Sequence, residues 1–315
     1  MKLLVTGARG YVGGRLCRFL AEYSSHEVVC GSRSAIHGMA GAFAAAVTDW
    51  SSEENLYKAC EGVEAVVHLA AMNAADCAAD PAGALAMNGV ATARLLQAAK
   101  KAGVRRFIYL STAHVYGSPL TGTISENSWP CPVHPYATSH RAAEDIVLAA
   151  DKLGQIEGIV LRMSNAFGAP ADPDANCWDL LFNDLCRQAV TTGSMTLHSS
   201  GMQRRDFLPM TDVCRAILHF LDLPLARQDR RLFNLGGNWS PTVFEAANIA
   251  ADRCATLLGA RPSVSRVPPA VGEVAADLSY VTDALQQTGF RLTADRTAEI
   301  DSLISFCMKT YGVSA

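Results

Sequence analysis

The chain has 315 residues, half of them apolar and 18% charged, with 27 basic and 30 acidic side chains and a formal net charge of −3. That composition is sufficient for a sizeable core and too apolar for a largely disordered chain. The slight acidic excess argues against a general nucleic-acid or membrane-surface binder, since both need a basic surplus.

Taken in chain order, Leu3–Thr6 predicts a buried strand, and Val12, Leu16, Phe19 and Leu20 then recur at helical spacing. Glu27–Cys30 predicts a second strand, Ala65–Leu69 another and Phe107–Leu110 a further one. Between the last two, Leu85, Leu95, Leu96 and Ala99 are expected on one alanine-rich helix. This β-α-β-α rhythm implies an α/β fold with a doubly wound parallel sheet, whose ligands bind at the carboxyl ends of the strands. Past Leu161 the weave loosens. Gly168–Asp174 is rich in turn residues, and Leu223-Pro224, Arg261-Pro262 and Pro268-Pro269 punctuate the remainder of the chain. The expected organisation is a dinucleotide-binding domain over 1–165, with returns of the chain at about 205–260, and a smaller, mainly substrate-binding lobe over 166–315.

The ten cysteines are scattered singly, with no C-x-x-C pair and no histidine at metal-ligand spacing, so reduced thiols and no metal are expected. No apolar stretch is long and uninterrupted enough to span a bilayer. Met1–Val5 runs straight into glycines without an export-signal core, which predicts a cytoplasmic protein.

Thr6-Gly7-Ala8-Arg9-Gly10-Tyr11-Val12-Gly13 follows the first strand and opens the first helix. Its glycines allow a tight turn and close approach to a pyrophosphate, which the helix N-terminus stabilises through its free N–H groups and dipole. A Rossmann-type dinucleotide site is therefore expected, with Gly7, Arg9, Gly10, Tyr11, Val12 and Gly13 at the cofactor. NAD sites usually carry an acid at the end of the second strand; here the run ends Gly31-Ser32-Arg33. Arg33 can pair with a 2′-phosphate or be a surface loop arginine, so the cofactor is NAD or NADP, with NADP favoured. Asp49, beside Trp50, either receives the adenine amino group or simply starts the Asp49–Ser52 turn.

Further along stand Ser111-Thr112-Ala113-His114-Val115-Tyr116-Gly117 and Tyr136-Ala137-Thr138-Ser139-His140. A hydroxyl and a tyrosine beside a nicotinamide suffice to move a proton while hydride moves to or from carbon. Tyr136 and His140 are four apart, hence on one helix face.

With these motifs, the chain resembles the extended short-chain dehydrogenases/reductases of the nucleotide-sugar epimerase/dehydratase family. The resemblance also rests on His68-Leu69-Ala70-Ala71, Asn88, Leu161–Gly168, Gln203–Phe207 with Thr211-Asp212-Val213, and Phe233–Gly237. It implies that Thr112 polarises the substrate oxygen, that Tyr136 is the general acid/base, and that Leu69, Ala70, Ala71 and Asn88 adjoin the cofactor. Asn165 and Arg205 would line the substrate's diphosphate; Arg205 could instead pair with Asp206 or Asp212. The implied partner is a nucleotide sugar, and the implied assembly a homodimer.

The chain departs from the family at three places. The family's lysine four residues after the tyrosine, which lowers the tyrosine pKa and holds the nicotinamide ribose, is His140 here; a mostly neutral imidazole can still hydrogen-bond the ribose but depresses the tyrosine pKa less, which favours reduction or weakened activity. The dehydratases' acids after the Ser/Thr are replaced by Ala113 and His114, which disfavours elimination. His114 is either an acid/base group facing the sugar or a packed histidine. An arginine of the C-terminal lobe is missing from Pro268–Glu273, with Arg266 as its candidate substitute. Epimerisation at C4 is the leading expectation, ahead of an NADPH-dependent 4-ketoreductase and of a dinucleotide-binding sensor.

Overall fold

In the computed structural model, residues 1–33, 43–224 and 229–312 are described. The strands β1 (Lys2–Thr6), β2 (Glu27–Ser32), β3 (Ala44–Val47), β4 (Ala65–His68), β5 (Arg106–Thr112), β6 (Glu157–Met163) and β7 (Leu232–Leu235) form one sheet. Their order is β3-β2-β1-β4-β5-β6-β7, all pairs parallel, which is the doubly wound arrangement expected from the alternating pattern. The observed strands extend the expected ones by one or two residues at several ends, and β4 stops one residue short, at His68. Leu95, Leu96 and Ala99 face the core as expected, but Leu85 is exposed, because a π-helical segment at Leu85–Val90 precedes the helix Ala91–Lys101 and breaks the phase.

Strand alternation divides the side chains between two cores. Leu3, Val5, Val67, Ile108, Ile159 and Phe233 pack against α1 (Tyr11–Tyr23) and a helix at Met210–Asp222. Leu4, Val66, Phe107, Tyr109 and Val160 pack against α2 (Glu53–Cys60), α3 (Ala91–Lys101) and α4 (Pro135–Lys152). Toward the carboxyl ends of the strands, this second face turns polar, with Thr6, His68, Tyr109, Ser111, Arg162 and Asn234 in its alternation. α4 answers that change: Tyr136, His140 and Glu144 follow one another at i, i+4 spacing along it.

Glu144 and Arg162, both fully buried, form a two-pronged ion pair with Nε–Oε1 at 2.9 Å and Nη2–Oε2 at 2.6 Å. Ser111, next to Thr112, donates to Glu144 Oε1 at 2.5 Å. The helix bearing Tyr136 is thereby anchored to the strand bearing Thr112.

A separate core gathers Phe167, Phe182, Phe207, Val243, Ala247, Ile300 and Leu303. It is built on helices Leu181–Thr192, Val243–Leu258 and Arg296–Tyr311, while the helix Met210–Asp222 and strand β7 belong with the parallel sheet.

Candidate functional site

A cleft of about 930 Å³ opens at the carboxyl ends of the strands. Its floor is the glycine turn. Gly7 has φ +69°, and a Cβ there would come within 2.8 Å of Ala70 N. At Gly13, a Cβ would fall 2.2 Å from the Gly7 carbonyl oxygen, so the first turn of α1 can close on the loop only with glycine. Gly10 N donates to Gly7 O at 2.8 Å and closes the bend. Gly7, Arg9, Gly10, Tyr11, Val12, Gly13, Ser32, Arg33, Trp50, Leu69, Ala70, Ala71 and Tyr136 of the expected site all border this cleft.

Three expected cofactor residues, Asp49, Asn88 and His140, are not among those lining it. Asp49 sits in the turn after β3, where its carboxylate accepts from Ser51 N at 2.9 Å and Ser51 Oγ at 2.7 Å. Those bonds hold its pKa below the ordinary value, and the turn reading describes its place. Asn88 is buried behind the wall, accepting from Met72 N at 2.7 Å and donating to Ser139 Oγ at 2.9 Å. It braces a cleft-lining residue against α4. Thr48, Met72, Asn73, Asp76, Asp172, Asp174 and Asn176 also line the cleft, though no sequence motif marks them. Most belong to loops whose approach is set by tertiary packing; Thr48 follows an edge strand and carries only that positional signal.

A closed hydrogen-bond chain supports the loop after β4. Thr6 Oγ1 accepts from Leu69 N at 3.2 Å and lies 2.7 Å from His68 Nδ1. His68 Nε2 lies 2.9 Å from Thr92 Oγ1, which donates to Asn88 O at 2.5 Å. Because the Thr92 hydroxyl gives its one proton to Asn88 O, it accepts from the His68 Nε2–H, and Nδ1 accepts from the Thr6 hydroxyl. Burial, then His140, pushes the His68 pKa down to about 3.

At the inner end of the cleft Thr112 and Tyr136 meet. Burial raises the Tyr136 phenol to about 12, opposed by its hydrogen bond with Thr112. Thr112 Oγ1 also accepts from His114 N at 3.2 Å, capping the short helical turn Ala113–Tyr116. His140 meets the Tyr136 ring edge-on, centroids 4.4 Å apart, and its pKa is driven down to about 3 by burial and then by His114. It is neutral throughout the physiological range, so no fixed cation stands where the resemblance implies a lysine.

Desolvation, then the charges of Arg205 and His134, lower the His114 pKa. These three side chains therefore share the region beside Thr112. Arg205 is depressed by desolvation alone and has no carboxylate partner among the described residues. Neither acid weighed as its partner is available: Asp206 accepts from Ser164 Oγ, Gly237 N and Trp239 N, and Asp212 from Arg215, Thr293 N and Ala294 N. Asn165 donates to Asp206 O at 2.9 Å, which fixes its amide. Arg266 is occupied elsewhere, donating to Ser200 O at 2.8 Å and stacking on Phe244 at 3.7 Å.

The residues present fit a dinucleotide. Besides the glycine cradle, three buried polar atoms in or beside the cleft have no partner among the described residues: Thr48 Oγ1, Trp50 Nε1 and His140 Nε2. Among the described residues no acid, cysteine and histidine cluster could hold a metal, and no helix is long and apolar enough to cross a membrane.

Comparison with known proteins agrees with this geometry. The family model described as NAD dependent epimerase/dehydratase family matches residues 3–236. YtcB of Bacillus subtilis (strain 168), named an uncharacterized UDP-glucose epimerase, is 28% identical over 281 residues, covering 82% of this chain and 84% of the relative. A UDP-glucose 4-epimerase of Rhizobium leguminosarum bv. trifolii is 27% identical, covering 84% and 83%. The solved structure of MoeE5 in complex with UDP-glucuronic acid and NAD superposes with a TM-score of 0.80 at 27% identity, over 98% of this chain and 100% of that one. Fold, glycine cradle and full-length similarity converge: this chain belongs to the NAD-dependent epimerase/dehydratase family.

Proposed function

We propose that the chain epimerises a nucleoside-diphosphate sugar at C4, by oxidising a ring carbinol and re-reducing the ketone from the other face. The observation that carries the reading is the Thr112 hydroxyl beside the Tyr136 phenol at the edge of the dinucleotide cleft. Bound NAD or NADP would take up hydride and return it. Thr112 would hydrogen-bond the reacting oxygen, and Tyr136 would accept and return its proton. Arg205, with no carboxylate partner among the described residues, would meet the diphosphate. Similarity over more than four-fifths of the chain to proteins named UDP-glucose epimerases supports this assignment, covering 82% and 84% of it. Ala113 and His114 after Thr112 weigh against elimination of water, which needs an acid there.

A second reading, an NADPH-dependent reductase of a 4-keto nucleotide sugar, is favoured by the electrostatics of Tyr136. With its pKa near 12 and neutral His140 beside it, the phenol is protonated at neutral pH and suited to donating. Gly31-Ser32-Arg33 at the cleft, without a carboxylate, supports NADP over NAD. One experiment separates the two. Purified protein is incubated with UDP-glucose, UDP-glucuronate and their 4-keto derivatives, with catalytic or stoichiometric NAD(P)H. Epimer formation with no net dinucleotide consumption upholds epimerisation, one NADPH lost per product upholds reduction, and binding without turnover upholds a sensor. Competition between NAD and NADP tests the cofactor preference, and light scattering tests the homodimer that belongs to the same proposal.

A further inference from the structure

Two histidines are buried on the same polar end of the sheet, and their hydrogen bonds differ. His68 has a partner on each ring nitrogen, Thr6 on one side and Thr92 on the other. His140 has one. Its Nδ1 lies 2.7 Å from the Tyr109 hydroxyl, while its Nε2 is buried without a partner among the described residues. The sequence marks neither Tyr109 nor this pairing, because Tyr109 lies inside an apolar strand run, Phe107–Leu110.

The direction of the Tyr109–His140 bond is set by the number of protons available. Tyr109 is 1% exposed, and among the described residues no other group bonds its hydroxyl. Were Nδ1–H the donor, the Tyr109 O–H would be a buried donor with nothing to bond, and Nε2 a buried acceptor with nothing to bond. With the phenol donating, only one unsatisfied group remains, the Nε2–H. Buried orphans are costly, so the arrangement with one prevails over that with two. The two ring nitrogens point in nearly opposite directions, so with Nδ1 on the Tyr109 hydroxyl, Nε2 is turned away from Tyr109. Tyr136, whose ring meets the imidazole, lines the cleft.

We infer that Tyr109 is a positioning residue: by donating to Nδ1 it holds His140 as the Nε2–H tautomer, presenting a single N–H donor for a hydroxyl oxygen of the bound dinucleotide's ribose. The tautomer assignment stands on the protein alone; the ribose contact rests on the dinucleotide site proposed above. A neutral N–H fixed by a buried phenol thus does the holding that the resemblance assigns to a lysine, without supplying charge.

The test is long-range ¹H–¹⁵N correlation NMR of ¹⁵N-histidine-labelled, ligand-free protein, with His140 assigned by the disappearance of its signals in His140→Gln. The expected wild-type signature is a protonated Nε2 and a bare Nδ1. Tyr109→Phe keeps the ring and its packing, and should give a tautomer mixture together with an increase of about 2- to 10-fold in dinucleotide Kd, read by titration calorimetry, as loss of one modest hydrogen bond requires. A wild-type Nδ1–H tautomer or a doubly protonated ring overturns the inference. So does a Tyr109→Phe protein whose tautomer or dinucleotide affinity is unmoved. Because the wild-type spectrum needs neither substrate nor cofactor, it decides the tautomer even if the proposed activity fails.

Discussion

Acidification should destabilise this protein through the histidines under its cleft. His68 and His140 titrate near 6.5 in an unfolded chain and are both pushed down to about 3 in the fold. A base whose folded pKa lies below its unfolded value contributes stability that is complete above about pH 6.5 and is lost as the pH falls toward the folded value. At pH 5, about 1.5 pH units below the unfolded value, each histidine has given up about 2 kcal/mol, or about 4 kcal/mol for the two. Asp206 acts in the opposite sense. Burial raises its carboxyl to about 6, so it regains about 1.4 kcal/mol between pH 6 and pH 5. From these three groups the expected net loss between pH 7 and pH 5 is about 2.5 kcal/mol, to which the lowered His114 and His219 add in the same direction, measured by urea denaturation at the two values. In His140→Gln the difference should shrink by about 2 kcal/mol, because one of the two neutral imidazoles is gone. If wild type and variant lose equal stability, His140 is not held neutral in the fold. The account of Tyr136 as a phenol without a cationic neighbour then fails.

Tyr136→Phe should lower turnover by about 10²- to 10⁴-fold while leaving dinucleotide affinity within about twofold, since it removes a proton and no packing; steady-state rates and calorimetry check both halves. Arg205→Ala should raise the KM for a nucleotide sugar by about tenfold or more, the range of a lost charge-assisted hydrogen bond, with an unchanged urea midpoint because no ion pair is broken. Glu144→Gln leaves Arg162 buried without a counter-charge and should cost about 3–5 kcal/mol, seen as a lower Tm with loss of activity. Gly13→Ala, whose Cβ would stand 2.2 Å from Gly7 O, should abolish dinucleotide binding.

Local sequence signals are enough to dictate the doubly wound sheet and the glycine turn at its carboxyl edge. Those signals are short continuous apolar runs alternating with helical spacing, and glycines where a strand turns into a helix. Thr112, Tyr136 and His140 are legible for the same reason, lying at a strand end and at i, i+4 on one helix. The chemistry open to those residues emerges only when the chain is folded. Burial, invisible in spacing, sets Tyr136 near 12 and His140 near 3. Folding also reserves Asp49 for its own turn, takes Asp206 and Asp212 from Arg205, and brings Tyr109, thirty-one residues away, onto the His140 imidazole. A pKa or a hydrogen-bond direction depends on every group that surrounds a side chain, and those groups arrive from strands and helices distant in the chain.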